Sequence, residues 1–443
     1  MQRRLLAELE ASMRILLPCI LVLLGLSVAE RSRAQGINRE SLAGQNDAAS
    51  ALVSDRQSVV GQDAAQAGYF SDQNQPYNLQ LGPVSLRCDA NLSANYNDNI
   101  NVAYTGRESD MYFEPLVNFH LLWNATEINS LTFDMGVGYQ AYLDHTGNNG
   151  FVISPDSASK LQFNIFVGDF KFNVHDIFSL EQDPLTEGQL SNTSQFVRFE
   201  NTAGVRVDWD LNSDVVLSLG YDHMNYWVFE TQYDYLNNQS DTISPSVSVV
   251  VGPTISAGVT SSFSTVRYDQ DVQNNYTSVS AGPFVTAQLS DYINLNAGVG
   301  VYIADYSQGG LNGDTSNNDT YYANIGVSHR INDVLTQSLT AGRQALPGLT
   351  SNFTNQYYAY YTLNWQALSV FQVQTNLSWQ NLEDSNATIR QTSNIYSARL
   401  NLTYSLNDHS SLQLGYQYTL KDANPVPQGY YQDLVTLGYQ YQF

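Results

Sequence analysis

The six histidines, His120, His145, His175, His223, His329 and His409, are the side chains best suited to moving protons near neutral pH. Such chemistry requires a base held against a nucleophile or a carboxylate, and no short motif groups any of the six. His409 sits in the run Asn407-Asp408-His409-Ser410, which reads as a solvated turn. His223 precedes Met224-Asn225-Tyr226-Trp227 and falls at the outer end of a strand, where an interfacial girdle accounts for it. The loop Asn312-Gly313-Asp314-Thr315-Ser316-Asn317-Asn318-Asp319 offers oxygen ligands but lacks the spaced Glu of a helix–loop–helix calcium site. No zinc-ligand spacing and no phosphate-cradling glycine loop occurs. The expectation is a protein with no catalytic residue, no metal and no cofactor.

What remains is electrostatic. Net charge is −23, from 19 Lys and Arg against 42 Asp and Glu, yet only 14% of residues are charged, against about a quarter in soluble domains. The acidic balance excludes nucleic acid as a partner, because displacing its counterions takes a basic stripe. A strand's successive side chains point to opposite faces. By that alternation Arg198, Glu200, Arg206 and Asp208 share the polar face of one segment, and Asp134, Lys171, Arg330 and Arg399 the polar faces of others. Two readings stay open: these charges set the field of a pore, or they pair with one another and stiffen a wall.

The elements that position them are strands. Val435, Leu437, Tyr439, Tyr441 and Phe443 alternate with Thr436, Gly438, Gln440 and Gln442, and Leu412, Leu414, Tyr416, Tyr418 and Leu420 with Gln413, Gly415, Gln417 and Thr419. The period of two begins at Pro83, and segments run about 10–15 residues, longer than the about 5–6 of sandwich strands and enough for a tilted membrane span of about 9–11. Tight links such as Asn212-Ser213-Asp214, Asn332-Asp333 and Asn407-Asp408 interleave with longer polar loops, among them 95–108, 181–194 and 307–319. Short turns at one end and long loops at the other define a transmembrane antiparallel up-and-down β-barrel, with about 18 strands between 84–94 and 429–443. Segments near 170–180 and 334–346 alternate poorly, so 16 is the alternative count. A lumen of that width holds water unless something plugs it. The alternation also predicts that rows of Tyr and Phe mark the outer, lipid-facing side.

Ile15 to Val28 forms an apolar core of export-signal length, with small-x-small sites ending at Ala29 and Ala34, and Met13 is an alternative start. The expected organisation is a signal peptide at 1–34, a polar periplasmic leader at 35–80 and a barrel at 81–443. The leader could also enter the barrel as a plug. Of the two cysteines, Cys19 falls in the signal and leaves Cys88 unable to form an internal disulfide.

Two stretches carry a resemblance: Leu81-Gly82-Pro83-Val84-Ser85-Leu86-Arg87, followed by Ser93-Ala94-Asn95-Tyr96-Asn97-Asp98-Asn99-Ile100, and the closing strand. Over about Leu81 to Phe443 the chain resembles β-barrel porin-2 type outer-membrane proteins. The resemblance implies a porin-like barrel in the bacterial outer membrane and a link to exopolysaccharide production or export; it carries over no catalytic residue. Tyr439, Tyr441 and Phe443 resemble the C-terminal signal read by the barrel assembly machinery. The expected partners are therefore lipid, that machinery, and small hydrophilic solutes, saccharides among them. In the alternative the barrel binds polysaccharide as a structural component of its export.

Overall fold

The computed structural model describes residues 77–153, 159–184, 188–385 and 391–443. The expected signal peptide, Cys19 and all but the last residues of the leader lie outside the described residues. The wall strands are β1 (Val84–Asn97), β2 (Asp110–Asn124), β3 (Ser130–Tyr142), β4 (Gly150–Ile153 with Ser159–Val167), β5 (Phe170–Glu181) and β6 (Arg198–Asp210). Next come β7 (Val215–Val228), β8 (Asn238–Gly252), β9 (Ile255–Tyr268), β10 (Tyr276–Ser290), β11 (Ile293–Tyr306) and β12 (Asn318–Asn332). The ring is completed by β13 (Leu335–Pro347), β14 (Phe353–Leu368), β15 (Phe371–Asp384), β16 (Thr392–Asn407), β17 (Ser410–Asn424) and β18 (Tyr430–Gln442). Both pieces of β4 pair with β3 and with β5, so they fill one position in the wall.

Every neighbour is antiparallel, and β1 pairs with β18 from Asp89↔Gln442 to Asn97↔Leu434, closing the sheet on itself at 18 strands. β18 stops short at the short-turn end. A separate arm, Leu79–Leu81, folds back there onto Leu86, Ser85 and Val84 and occupies the seam that β18 leaves.

The short turns follow from local chemistry. Asn212, Asn332 and Asn407 each turn a side-chain oxygen onto the backbone N–H two residues on, at Asp214 (2.9 Å), Val334 (3.0 Å) and His409 (2.9 Å). This Asx turn lets a short link reverse the chain. A register shift precedes several of these turns, as at Arg330/Asn332 and Ser405/Asn407; such bulges tighten twist and bend the strand toward the turn.

One face of the wall exposes large apolar side chains: Val299, Val301 and Ile303 on β11, and Leu437, Tyr439 and Tyr441 on β18. The opposite face carries buried Ser, Thr, Asn and Gln, such as Ser278, Thr362, Gln356 and Asn173. The expectation that Tyr marks the outer side fails near the long-loop end of β9 to β14. There Tyr276, Tyr302, Tyr306 and Tyr322 are buried inside with Val266, Ala304, Ala345 and Phe353. The Tyr322 ring lies against the wall because Gly300 and Gly282 beside it offer no side chain. A Cβ at Gly300 would collide with the Ala281 carbonyl oxygen and with the Tyr322 ring. Glycines on the polar face are thus seats for inward aromatic rings.

Candidate pore constriction

The long link between β5 and β6, residues 182–197 with 185–187 outside the described residues, leaves the wall and spans the bore. Its feet are joined by one guanidinium. Arg198, whose side chain is 1% exposed, donates from Nη2 to Glu181 Oε2 (2.7 Å) and from Nε to Glu200 Oε1 (3.1 Å). It also reaches the Asp183 carbonyl from Nη1 (3.4 Å). A planar fork can bind two carboxylates at once, so Arg rather than Lys fits this clamp. Phe196 is fully buried, edge-on to Tyr233 at 5.2 Å, and packs with Leu190, Tyr226, Val228, Leu236 and Leu349.

The far end of this loop is gripped by the opposite wall. Lys421 on β17 donates from Nζ to the carbonyls of Gln189 (3.1 Å) and Leu190 (3.1 Å) and to Ser191 Oγ (3.0 Å). Gln189 receives the Leu349 N–H (2.9 Å) and the Thr354 hydroxyl (3.1 Å) at Oε1. Ser191 Oγ donates to the Gln428 carbonyl (2.6 Å), and Asn192 N donates to the Val102 carbonyl (3.1 Å). From β5 to β14 is nine steps in a ring of 18, so the loop crosses a full diameter.

Other long-loop residues lock around it. Asn99, fully buried, donates from Nδ2 to the carbonyls of Ala103 (3.0 Å) and Tyr431 (2.7 Å). Asp314 accepts from Asn352 N (2.9 Å), Ser316 N (2.9 Å) and Ser385 Oγ (2.5 Å). Burial alone would raise the Asp314 carboxyl, but the donors at Asn352, Ser385 and Ser316 outweigh it and hold the group below the usual carboxylate range. Glu230 behaves the other way. Its Oε1 accepts Val197 N (2.9 Å), while Oε2 is buried with no partner among the described residues. Burial dominates there, and the carboxyl is pushed up.

Beside the first foot of the loop a polar cluster faces the bore. Tyr112 and Tyr142 stack at 4.7 Å. Gln140 donates to Glu114 Oε2 (2.7 Å) and receives the Gln182 amide. Glu114, Asp183 and Arg399 all act electrostatically on Tyr112. Charges of both signs therefore act on this pair of phenol rings.

Six of the eight charges singled out from the sequence are in ion pairs. Besides Arg198 and Glu200, Arg206 Nε meets Asp208 Oδ1 at 2.9 Å and Lys171 Nζ meets Asp210 Oδ2 at 3.0 Å. Asp134 contacts His120 at 2.8 Å and Lys160 at 3.9 Å. Arg330 is exposed at the short-turn end, donating to the Asp291 carbonyl at 3.2 Å. Arg399 makes no ion pair among the described residues. Tyr439, Tyr441 and Phe443 form an exposed row on the outer face. The remaining histidines scatter: His145 meets Asp110 at 3.0 Å, His175 meets Asp222 at 2.8 Å, and His223 meets Asp241 at 2.9 Å. His329 meets the Gln337 amide at 3.1 Å, and the His409 ring lies 6.5 Å from that of Tyr441. Among the described residues no group of three or more His, Cys, Asp or Glu gathers as a metal site.

The residues that anchor the loop were not among those singled out from sequence: Lys421, Gln189, Phe196 and Leu349. One signal was available. The chain has only three lysines, Lys160, Lys171 and Lys421, and Lys421 continues the inward parity of Gln417 and Thr419.

No family model matches the chain, and no curated protein matches it in sequence. Solved structures similar to it include a BenF-like porin from Pseudomonas fluorescens Pf-5, at TM-score 0.48 and 9% identity, covering 81% of this chain and 99% of that one. Pseudomonas aeruginosa OccK2 (OpdF) in complex with glucuronate gives TM-score 0.48 and 10% identity over 83% of this chain and 100% of that one. Pseudomonas aeruginosa OpdK with vanillate gives 0.45 and 8% over 81% and 99%.

Proposed function

We propose that this chain is an outer-membrane channel for small hydrophilic solutes, with loop 182–197 as the restrictor that narrows its mouth. The observation that carries this reading is the loop itself. It runs from the Arg198 clamp across a diameter to Thr354 on β14, with Lys421 on β17 holding its far end, above a wall whose inner face is Ser, Thr, Asn, Gln and ion pairs. A barrel that served only as a wall would not need a diametric strap held by a buried lysine. With short turns on the periplasmic side, as bacterial barrels are built, the strap lies toward the cell exterior.

Charges of both signs, those of Glu114, Asp183 and Arg399, act on Tyr112 and contribute a field to the remaining passage. Such a field orders the dipole of a hydrated solute and selects against bulky apolar ones. The phenols and amides of Tyr112, Tyr142 and Gln140 suit hydroxyl-rich cargo, so saccharides are the favoured class. The outer row Tyr439, Tyr441 and Phe443 is the proposed handle for the barrel assembly machinery. Planar-bilayer recording of the purified barrel tests the reading. Stepwise conductance is expected, increased when the strap is released; a barrel electrically silent both with the strap and without it would reject conduction.

A further inference from the structure

Among the described strands only two Lys or Arg side chains take the outward parity, Arg267 on β9 and Arg343 on β13. Arg267 has a carboxylate beside it, Asp241, on which it acts electrostatically. Arg343 makes no ion pair among the described residues. It shares its face with exposed Leu339 and pairs across the sheet with exposed Tyr357. Its guanidinium stands over two phenol rings, 4.5 Å from the centroid of Tyr321 and 5.4 Å from that of Tyr357. Both of its hydrogen bonds leave from Nη1, to Thr320 Oγ1 (2.5 Å) and to the Tyr321 carbonyl, and Nε has no partner among the described residues. The outward carboxylates Asp319 and Glu383 lie two residues beyond Tyr321 and Asn381, further toward the long loops.

Arg343 stands eight residues above Leu335, which opens β13 at the short turn. That is about 20 Å along the barrel axis, at about 3.3 Å per residue and a tilt near 40°. Exposed Trp365, the partner of Leu335, marks the foot of this stretch, and Tyr357 marks its top. The cation therefore lies at the upper edge of a lipid-facing band, among the aromatic girdle. Beside and below it three alanines meet on adjacent strands: Ala323 opposite Arg343, and Ala341 opposite Ala359. Larger exposed side chains flank them, Val299 and Ile325 on one side, Leu339 and Trp379 on the other. The alanines leave a shallow trough in a bulky apolar surface, leading from the guanidinium toward the middle of the band.

A guanidinium at the edge of hydrocarbon calls for a counter-charge, and among its described neighbours the chain supplies none. The two phenol faces hold the fork in place without neutralising it. An arginine that only reached up to water would need neither the rings nor the trough. A planar fork matches a phosphate, which it can bind through two N–H groups at once. A cation above and an apolar slot beneath are complementary to an anionic amphiphile. We propose that Arg343, Tyr321 and Tyr357 seat the phosphate of an outer-leaflet lipid, one acyl chain of which lies in the trough of Ala323, Ala341 and Ala359. The inference rests on the wall being membrane-embedded with its long loops outside, not on conduction.

Full-length protein purified in mild detergent is offered diphosphoryl lipid A, and the adduct is quantified by native mass spectrometry. Arg343→Gln is expected to weaken capture roughly tenfold, Arg343→Lys to restore part of it, and Arg267→Gln to leave it unchanged. Ala341→Phe, which fills the trough and keeps the guanidinium, is expected to weaken capture as well. Lipid A stripped of its phosphates should bind native and Arg343→Gln barrels alike, and more weakly than the phosphorylated form binds the native one. Millimolar inorganic phosphate should not displace the lipid. Equal capture by native and Arg343→Gln barrels, undiminished capture by Ala341→Phe, equal capture of the two lipid forms, or displacement by inorganic phosphate would overturn the proposal. Flotation with phosphatidylcholine vesicles is expected of native and Arg343→Gln barrels alike. A native barrel that fails to float would instead reject the embedded wall, and heat-shifted migration on gels checks that each variant is folded.

Discussion

Lys421→Ala is the sharpest perturbation of the strap. The native ammonium serves the carbonyls of Gln189 and Leu190 and the hydroxyl of Ser191 from a side chain 1% exposed. Truncation removes the donor of the Gln189 carbonyl and leaves the Leu190 carbonyl only the Ser191 hydroxyl at 2.8 Å, whose one hydrogen it shares with the Gln428 carbonyl. The cost is about 1–3 kcal/mol for each carbonyl left unmet. The hydroxyl keeps its bond to Gln428. Relief of the lysine's own desolvation, several kcal/mol in principle but offset by the nearby Asp384 charge, returns part of that loss. A net weakening of docking by about 2–3 kcal/mol shifts the balance of docked and released strap roughly 30- to 150-fold. Single-channel recording reads this as longer open times and a larger open conductance, with Lys421→Met behaving alike because it too lacks the donors. Heat-shifted migration on gels checks that each barrel is folded. Folded Lys421→Ala barrels with native conductance and dwell times would refute the strap.

Glu230 makes strap docking respond to pH. Its carboxyl is raised by burial in the docked state, so its contribution is fully present below the ordinary carboxylate value and fades as pH rises through the docked one. Open conductance is therefore expected to fall between about pH 7 and about pH 4, and Glu230→Gln to flatten that response, in recordings across the range. Gly300→Ala is expected to cost roughly 1–3 kcal/mol in urea unfolding followed by tryptophan emission. Gly438→Ala, whose Cβ would meet Gln413 at an ordinary 3.4 Å, is expected to change stability by less than about 0.5 kcal/mol.

The wall was legible because it repeats one rule. Period-two alternation and Asn-led turns place most strand limits within a few residues, and closure of β1 on β18 settles the count at 18 rather than 16. The fourth strand comes in two pieces, Gly150–Ile153 and Ser159–Val167, so no single alternating run displays it. The strap was illegible for the opposite reason. Its anchors Gln189, Lys421 and Leu349 lie up to 232 positions apart, and each looks ordinary in its own neighbourhood. Inward Tyr322 misled because a ring can lie on a glycine across the sheet, a relation between strands that no single strand displays.

The seam between the first and last strands sets the order in which this barrel can form. Every other wall contact joins neighbours along the chain, whereas Asn97 must find Leu434 and Asp89 must find Gln442. Loop-closure entropy delays such distant pairings, so the sheet exists for a time as an open ribbon with β1 and β18 as bare edges. Bare edges recruit other chains. The Leu79–Leu81 arm already covers the foot of β1 through a local hairpin, leaving nine residues of that edge, Asp89 to Asn97, to wait for β18. Deleting the arm would lengthen the exposed edge without removing any strand of the finished wall. Its cost would fall on the yield of closed barrels and hardly on the barrel once closed.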